Sequence, residues 1–492
     1  MGNFATVFNE FYIMSYFINI CSAVARDVRV RLKEPVNVTV QKGEHIAVVG
    51  ANGSGKNLFV ETLMGHYPLL KGSVEYDFSP SLTNAVYKNV QFISFRDIYG
   101  SAEVDYCYQL RWNVHEQIDI PTVADIFVDC NDKAKELLRQ FDILHIVNGP
   151  VVALSSGELR KLQIVKALCS EPRLLILDNP FIGLDAEARS MLAGVLSSLA
   201  ENGDVQIMLL LSSSKDIPVF VDSVIPVCGM CVGEKVSRSS FMQTENSGND
   251  GDVLLLQDKV LSLPGHNVCA ADEVLHFNGV SVKYGSRTIL DNLSWRVKSG
   301  EVWLLSGANG SGKSTLLSLV CADNLQSYAC DITLFGRKRG SGESIWDIKK
   351  RIGYVSPEMH RSYLRNLPVK EIVASGLFDT IGLYRRPTEE QMEMCRFWME
   401  LFGIWHLADS SFLRISSGEQ RLALLARAFV KDPELLILDE PMHGLDDCNR
   451  IRVKAVVEAF SRRKGKSIVF VSHYSEDVPS TVTHKLTLKR HL

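Results

Sequence analysis

The chain has 492 residues, of which 46% are hydrophobic and 22% charged, and its formal net charge is −4. This length exceeds what one hydrophobic core usually supports, so we expect two to four domains. The charge balance argues against a global basic field for nucleic-acid binding, although it leaves room for a local basic patch.

Eleven cysteines are scattered along the chain, mostly inside apolar runs. An odd number without a paired framework favours a reducing, cytoplasmic compartment. Cys228 and Cys231 form a C-x-x-C pair with no second pair downstream. We interpret them as a structural pair rather than as a zinc or redox site.

The apolar run from Phe11 to Ala25 is short for a membrane span and lacks the charged start of a signal peptide. No other stretch reaches spanning length. If the protein serves membrane transport, the channel must therefore come from other chains.

Taken in order, residues 1–27 are predicted to be an N-terminal extension with a first edge strand. Alternating apolar residues in Val28–Leu32 and Val36–Val40 then predict edge strands. The apolar strand Ile46–Val49 leads into Gly50–Asn57, which reads GANGSGKN. Such a loop cradles phosphates with its backbone amides. We therefore predict that residues 28–232 form a nucleotide-binding domain.

The same series of motifs occurs a second time. Gly307–Thr315 reads GANGSGKST, follows the apolar strand Val302–Leu305, and precedes a predicted helix whose N-terminus suits anions. Three later motifs recur with an offset of 261 residues: LSSGE as ISSGE, LLILD in both halves, and GLD in both halves. A repeat of this length is a duplicated domain.

The two predicted domains are joined by a linker over residues 233–272, and the second domain covers 273–492. The linker is rich in Ser, Asn, Asp and Gly, with an apolar patch at Val253–Leu256. Helical periodicity in Asp132–Phe141 and Glu389–Phe402 predicts a helical insert in each domain.

The Ser-Ser-Gly-Glu motif allows two interpretations. As S-x-x-E it is a capping box at the start of a helix. Its hydroxyls and amides at a helix N-terminus also suit a phosphate. Because the motif occurs twice, each time about 20 residues before the Asp-terminated strand, we favour phosphate binding.

This ordered series resembles the ATP-binding-cassette (ABC) ATPases, and the resemblance covers the chain from about residue 28. Within them it is similar to the molybdenum-transport-associated ModF type, also called photorepair PhrA proteins. The stretches that carry this closer similarity are Tyr108–Asn113, Ser375–Tyr384 and Trp398–Ile404. The resemblance implies an α/β fold of two tandem P-loop NTPase domains, each with a β-rich subdomain, a mainly parallel core sheet and a helical insert.

The family further implies ATP and Mg²⁺ as ligands, and head-to-tail pairing of the two cassettes around each ATP. By this resemblance Lys313 neutralises phosphates, Ser314 and Asp439 hold Mg²⁺, and Asp178 is a weaker metal position. Glu440 matches the general base, His473 the switch histidine, and Tyr284 the aromatic residue that stacks on adenine. The remaining predicted nucleotide-binding residues are Gly307, Asn309, Gly310, Gly312, Thr315, Ser155, Ser156, Gly157, Gly50, Asn52, Gly53, Gly55, Lys56, Asn57, Ser416, Ser417 and Gly418.

The first domain departs from the family at chemically decisive positions. Asn57 replaces the metal-binding hydroxyl, and Asn179 stands where Glu440 stands in the second domain. An amide cannot accept a proton from water at neutral pH. Ser212 falls opposite His473 and Asp27 opposite Tyr284. Drift and a binding site that no longer turns over both explain these changes, so hydrolysis is predicted at the second site alone.

The second domain has one departure, because Ser356-Pro357-Glu358 stands where the family has a glutamine. We expect an ATPase that drives or regulates a transporter through separate membrane subunits, lying in the cytoplasm or at the inner face of the membrane. An alternative is an ATP-switched clamp on ribosomes or nucleic acid, as in ABC-F proteins, but the linker leans acidic rather than basic. A non-hydrolysing scaffold is disfavoured by Glu440 and His473.

Overall fold

The computed structural model describes residues 16–95, 122–127, 131–149, 151, 154, 156–182, 184, 186–203, 205–244, 250–264, 272–284, 287–307, 310–472 and 474–489. The chain divides into two compact units. The first unit comprises Met1–Phe181 and Ser190–Glu245, and the second comprises Ile182–Arg189 and Asn246–Leu492. Each is a layered α/β structure.

The first unit contains a small antiparallel sheet and a larger core sheet. Its strands are β1 (Tyr16–Ala25), β2 (Val36–Gln41), β3 (Ile46–Val49), β4 (Leu69–Tyr76), β5 (Val90–Ser94), β6 (Leu174–Asp178), β7 (Gln206–Leu211), β8 (Ser223–Cys228), β9 (Cys231–Val232) and β10 (Val236–Ser237). The small sheet has the order β2-β1-β4, and the core sheet has the order β10-β8-β3-β7-β6-β5. The pairs from β8 to β5 are parallel.

The described part of the first unit also contains helices. They are α1 (Lys56–Leu63), α2 (Val86–Asn89), α3 (Val123–Ile126), α4 (Asn131–Gln140), α5 (Ser156–Leu168), α6 (Ala186–Asn202) and α7 (Arg238–Thr244). The first residues of α6 are counted with the second unit. Strands β3, β6 and β7 are buried along their whole length, which explains their continuous apolar sequences.

The second unit has the same plan. Its strands are β11 (Glu273–Tyr284), β12 (Arg287–Lys298), β13 (Val302–Gly307), β14 (Ile332–Leu334), β15 (Arg337–Lys338), β16 (Ile352–Val355), β17 (Leu435–Asp439), β18 (Ser467–Val471) and β19 (His484–Leu488). Its helices are α8 (Asp250–Leu261), α9 (Lys313–Val320), α10 (Ile345–Lys349), α11 (Pro357–Ser362), α12 (Val369–Ser375), α13 (Glu389–Leu401), α14 (Ser417–Phe429) and α15 (Asp447–Ser461).

The core sheet of the second unit has the order β16-β17-β18-β13-β19, and every pair in it is parallel. This order matches β5-β6-β7-β3-β8 of the first unit. Because successive side chains of a strand point to opposite faces, Leu436 and Leu438 pack into one hydrophobic cluster and Leu435 and Ile437 into the other. The carboxyl ends of these parallel strands share one edge, where ligands of open α/β sheets bind.

Most predicted elements are confirmed. The strands Ile46–Val49 and Val302–Leu305 are β3 and the first part of β13, and the two predicted insert helices are α4 and α13. The family stretch at residues 108–113 lies outside the described residues. Among those described, no helix is long and apolar enough to cross a bilayer.

The prediction of a strand over Val28–Leu32 is wrong. Val28–Val30 is a short 3₁₀ helix, and the carboxylate of Asp27 accepts a hydrogen bond from the backbone N–H of Arg29 at 2.9 Å. The Arg29 side chain also binds this carboxylate, and these bonds lower the pKa of Asp27 to about 2. The alternating valines do not form a buried face, since Val28 is 74% exposed. A local cap therefore prevails over the apolar alternation.

Two other predicted features acquire definite structure. The linker contains α7, α8 and the short strand β10, and the buried Val260 of α8 joins the core of the second unit. Cys228 and Cys231 face each other across the β8–β9 hairpin as free thiols. Within the described parts of the chain, no group of three or more His, Cys, Asp or Glu side chains could hold a metal ion.

Candidate nucleotide sites

The phosphate loop of the second unit leaves β13 at Gly307 and enters α9 at Lys313. Gly307, Gly310 and Gly312 have φ of 153°, 76° and 94°, in the region that favours glycine. A Cβ on Gly307 would lie 2.7 Å from the carbonyl oxygen of Leu488 and 2.6 Å from Ser311 Oγ. The glycines therefore permit a turn and a close backbone approach that other residues would block.

The side chains of this loop are arranged around the start of α9. Lys313 Nζ donates to the carbonyl oxygen of Gly307 at 2.7 Å, and Ser314 is exposed. Thr315 is half-buried, and its carbonyl accepts from Ser318 Oγ at 2.7 Å. Ser311 Oγ is buried and has no hydrogen-bond partner among the residues that the structure describes. An anion at this helix N-terminus has unpaired backbone amides and a lysine to meet it. Asn309 lies outside the described residues.

The acidic pair lies at the same edge of the sheet. Asp439 ends β17 and is buried, and Glu440 follows it with a φ of 50°. The Glu440 amide donates to the carbonyl oxygen of Val471 at 3.0 Å. A left-handed backbone is costly for glutamate, and such strain commonly marks functional residues. His473, two residues after Val471, lies outside the described residues.

Arg421 is a functional candidate that the sequence reasoning missed. Its guanidinium is buried and donates to three carbonyl oxygens, those of Ser356 at 2.9 Å, Asp439 at 2.9 Å and Glu440 at 2.5 Å. It thereby ties α14 to the strand ends that carry the acidic pair. Arg160, 261 residues earlier, donates to the carbonyl oxygen of Pro180, the residue after Asn179. The repeat offset was the signal that could have found both.

The Ser-Ser-Gly-Glu motif, which we interpreted either as a capping box or as a phosphate-binding motif, is described more fully in the second unit than in the first. Ser416 and Glu419 form a capping box at the start of α14, so the capping interpretation is confirmed there. The same turn presents the exposed Ser417 and the buried Gly418 at the helix N-terminus, so capping does not exclude phosphate binding. In the first unit Gly157 is half-buried in α5, whereas Ser155 and the Ser156 side chain lie outside the described residues.

Two tyrosines of the second unit belong to or adjoin its predicted site residues. Tyr284 ends β11 with 38% of its surface exposed, and its hydroxyl accepts from Asn324 Nδ2 at 3.0 Å. Tyr474 follows His473 in sequence and donates to the carbonyl oxygen of Leu184 at 3.0 Å, within the same compact unit. Burial raises the pKa of the Tyr474 phenol, so this donor keeps its proton at neutral pH. Sequence reasoning missed Tyr474.

The phosphate loop of the first unit keeps the backbone geometry of the second. Gly53 and Gly55 have φ of 75° and 105°, and α1 begins at Lys56. Lys56 Nζ donates to the carbonyl oxygens of Gly50 at 2.5 Å and Ala51 at 2.9 Å. Asn57, the next residue, is half-buried at the position that Ser314 occupies in the second unit.

The substituted residues of the first unit are joined by hydrogen bonds. Ser212 Oγ lies 3.1 Å from Asn179 Oδ1 and 3.1 Å from Asn52 Oδ1, to which it donates. Asn179 Nδ2 donates to Asp178 Oδ1 at 2.9 Å, and Ser94 Oγ donates to Asp178 Oδ2 at 3.2 Å. We call these five residues the amide network. Two predicted departures, Asn179 and Ser212, therefore contact each other, and Ser212 also contacts the phosphate loop.

Comparison with known proteins decides the family. Residues 33–182 and 290–443 match the family model described as ABC transporter, and together they exceed half of the chain. This chain belongs to the ABC transporter ATP-binding family. Its two halves are ABC cassettes, and the protein is a tandem-cassette ATPase. The matched residues include both phosphate loops, both Ser-Ser-Gly-Glu motifs and both strands that end in aspartate.

Individual relatives sharpen this placement. The chain is 38% identical over 463 residues to the ABC transporter ATP-binding protein ModF of Escherichia coli (strain K12), covering 91% of this chain and 92% of that protein. It is 26% identical over 488 residues to an uncharacterised ABC transporter ATP-binding protein of Schizosaccharomyces pombe, covering 96% and 98%. A solved archaeal ribosome recycling factor, in complex with the stalk protein aP1, shares the fold with a TM-score of 0.57, 18% identity, and coverage of 95% and 87%.

The ABC cassettes differ in how well their residues fit Mg²⁺. This ion is usually held by one or two carboxylates together with substrate phosphates and water. In the second cassette the hydroxyl of Ser314 and the carboxylate of Asp439 are a set of this kind. In the first cassette Asn57 replaces the hydroxyl, and both oxygens of Asp178 already accept hydrogen bonds. The second cassette fits the ion and the first does not.

Proposed function

We propose that this ATPase hydrolyses ATP at the phosphate loop of the second cassette, and that the first cassette binds nucleotide without turning it over. Lys313 neutralises the phosphates, and Ser314 and Asp439 hold Mg²⁺. The bound ion supplies charge neutralisation for the phosphates. Glu440 orients and deprotonates the attacking water.

The family resemblance supplies proposed roles for several more residues. His473 senses the γ-phosphate, and Tyr284 stacks on adenine. Ser155, Ser156 and Gly157 of the first cassette close the second cassette's phosphate loop, while Ser416–Gly418 serve the loop around Lys56. In this arrangement the first cassette is needed for turnover although its own site does not carry out hydrolysis.

The observation that carries the proposal is the environment of Glu440. Its backbone is held in a left-handed conformation, and its carbonyl is bound by the buried Arg421. Such strain persists only where the surroundings enforce it. A carboxylate kept in this position at the edge of the sheet is a fitting general base, and Asn179 at the equivalent position in the first cassette is not.

The test is Glu440→Gln in the full chain. We expect the kcat for ATP hydrolysis to fall by about 10²- to 10⁴-fold while ATP binding persists, because the amide keeps the shape and loses the base. Glu400→Gln is the matched control, since this exposed carboxylate pairs with Arg396 on the surface of α13. Turnover by Glu440→Gln at the wild-type rate would refute the assignment.

We further propose that this ATPase energises or regulates a transport system through separate membrane subunits, of molybdate type by likeness to ModF. The likeness extends over 91% of this chain, which supports a shared kind of role. The Glu440→Gln protein, held in the ATP-bound state, is the bait for co-purification from membranes. Recovery of membrane-spanning subunits supports the transport role, and their absence argues against it.

The second candidate is an ATP-switched factor that acts on ribosomes. It is favoured by the fold shared with the archaeal ribosome recycling factor over 95% of this chain. Against it, residues 233–271 contain five acidic and three basic side chains, unlike the basic linkers of ABC-F proteins. Co-sedimentation of the same Glu440→Gln protein with ribosomes, abolished by removal of ATP, would support this candidate over transport.

A further inference from the structure

The carboxylate at the end of β6 accepts hydrogen bonds from two neutral side chains. Asn179 Nδ2 donates to Asp178 Oδ1 at 2.9 Å, and Ser94 Oγ donates to Asp178 Oδ2 at 3.2 Å. Asp178 itself is buried. A buried carboxylate needs such donors or a cation, because burying a charge without partners is costly. Here two side chains of the first cassette provide part of what a metal ion would otherwise provide.

The rest of the amide network holds these donors in place. Ser212 Oγ lies 3.1 Å from Asn179 Oδ1, so the amide oxygen is an acceptor and the amide nitrogen is turned toward Asp178. The same hydroxyl lies 3.1 Å from Asn52 Oδ1 in the phosphate loop. One hydroxyl proton is thus shared between two amide oxygens, and it links the loop to the strand end.

The second cassette has different chemistry at the same two positions. Ser356, which follows β16 as Ser94 ends β5, uses its hydroxyl to accept from the Met359 amide at 3.1 Å. Glu440 replaces Asn179, and an ionised carboxylate has no proton to donate. At these two positions the second cassette therefore has a hydroxyl that caps α11 and a carboxylate that cannot donate, where the first has the two neutral donors to Asp178.

A magnesium ion in the first cassette would have to displace these bonds. Mg²⁺ demands near-octahedral oxygen ligands at about 2.0–2.1 Å and gives up water reluctantly. Its approach to Asp178 would bring it against the amide nitrogen of Asn179, which cannot coordinate it. Asn57 also removes the hydroxyl that the second cassette offers at Ser314. The residues present do not fit the ion.

The parts that bind phosphate by themselves remain in the first cassette. The loop keeps its left-handed glycines, and Lys56 begins α1 with its ammonium group inside the loop. A lysine and a set of backbone amides can bind a nucleotide polyphosphate without a divalent cation.

We infer that the first cassette takes ATP without coordinating a divalent cation, whereas the second takes ATP together with one. This inference rests on the proposed function, in which both cassettes bind nucleotide. It also accounts for the persistence of Lys56 beside the loss of the metal-binding hydroxyl and of the general base. The amide network is then a built substitute for the metal.

The test counts ligands on the full chain. The protein is saturated with Mn²⁺ and the non-hydrolysable analogue AMP-PNP, then freed of excess ligand by rapid desalting. Nucleotide is counted by chromatography and Mn²⁺ by electron paramagnetic resonance after acid release. We expect two nucleotides and one Mn²⁺ per chain. Asp439→Asn should remove the remaining Mn²⁺, and Glu400→Gln should leave both counts unchanged.

A restored site provides the complementary measurement. Asn57→Ser combined with Asn179→Glu returns the hydroxyl and removes the amide donor, and we expect it to raise the Mn²⁺ count from one to two. Two Mn²⁺ ions on the wild-type chain would overturn the inference. One nucleotide per chain would also overturn the inference, because it would show that the first cassette binds none. Hydrolysis at the second cassette would then be judged by Glu440→Gln alone. The wild-type counts decide the matter even if the double variant does not fold.

Discussion

The two phosphate loops have the same seven residues, GANGSGK, and nearly the same backbone, yet their surroundings differ. Gly53 and Gly310 have φ of 75° and 76°, and Gly55 and Gly312 have φ of 105° and 94°. The differences begin with the residue after the lysine and continue at the ends of the neighbouring strands. On the function proposed above, phosphate binding and phosphate chemistry are therefore separable properties of one fold.

The strand-end position shows the separation most clearly. Asn179 and Glu440 have φ of 51° and 50°. Asparagine adopts this left-handed conformation far more readily than glutamate does. The first cassette thus has a residue that suits the backbone, and the second has the residue that we propose as the general base.

The largest expected contrast comes from the two loop lysines. Lys313→Ala should lower kcat/KM for ATP on the order of 10²- to 10³-fold, because it removes a charge that stabilises the transferring phosphoryl group. Lys56→Ala should lower the nucleotide count per chain from two to one with a smaller loss of turnover. Steady-state hydrolysis and equilibrium binding measure both. Equal losses of turnover in Lys313→Ala and Lys56→Ala would contradict the proposal that only the second cassette hydrolyses ATP.

The next contrast concerns the buried arginines. Arg421→Met should lower kcat by about 10- to 10²-fold with little change in KM, because the backbone of Glu440 loses its anchor. Arg421→Lys should recover part of the rate. Arg160→Met, the same change in the first cassette, should lower kcat less, because the neighbouring Asn179 is not the proposed general base. Thermal unfolding of each variant separates positioning from loss of structure, and equal kcat values for the two Met variants would refute the role of Arg421.

The amide network predicts a difference in stability. Asn179→Ala leaves the buried carboxylate of Asp178 without one donor and should lower the free energy of unfolding by about 1–3 kcal/mol. Ser198→Ala, an exposed serine on α6, is the control. Denaturant unfolding of the first unit, compared between Asn179→Ala and the wild type, measures this change in the free energy of unfolding. A change below about 0.5 kcal/mol, the usual range of surface substitutions, would show that the network adds little.

The smallest expected effect is a gain. Glu440→Asn places in the second cassette the residue that the first already has, and it should relieve left-handed strain. We expect a stabilisation of about 0.5–1 kcal/mol together with loss of hydrolysis. Glu440→Gln provides the comparison, since it loses the base and keeps the strain. If Glu440→Asn were no more stable than Glu440→Gln, the strain argument would fail.

The sequence by itself determined the duplication and the family, and it predicted the unequal chemistry of the two sites. Each of these is written in short motifs whose residues are close along the chain, such as Asp439 and Glu440 or Lys56 and Asn57. Local motifs carry their own geometry, because a strand, a glycine-rich turn and a helix start fix where the side chains lie. The core strands and insert helices followed from apolar periodicity for the same reason.

Only the tertiary structure decided how the departures fit together. Asn52, Asn179 and Ser212 are distant in sequence and meet because β3, β6 and β7 are neighbours whose carboxyl ends share one edge. Arg421 reaches Ser356 and Glu440 because α14 packs against those strand ends. Hydrogen bonds between residues so far apart leave no periodic signal in the chain. Their partners are set by the packing of the sheet.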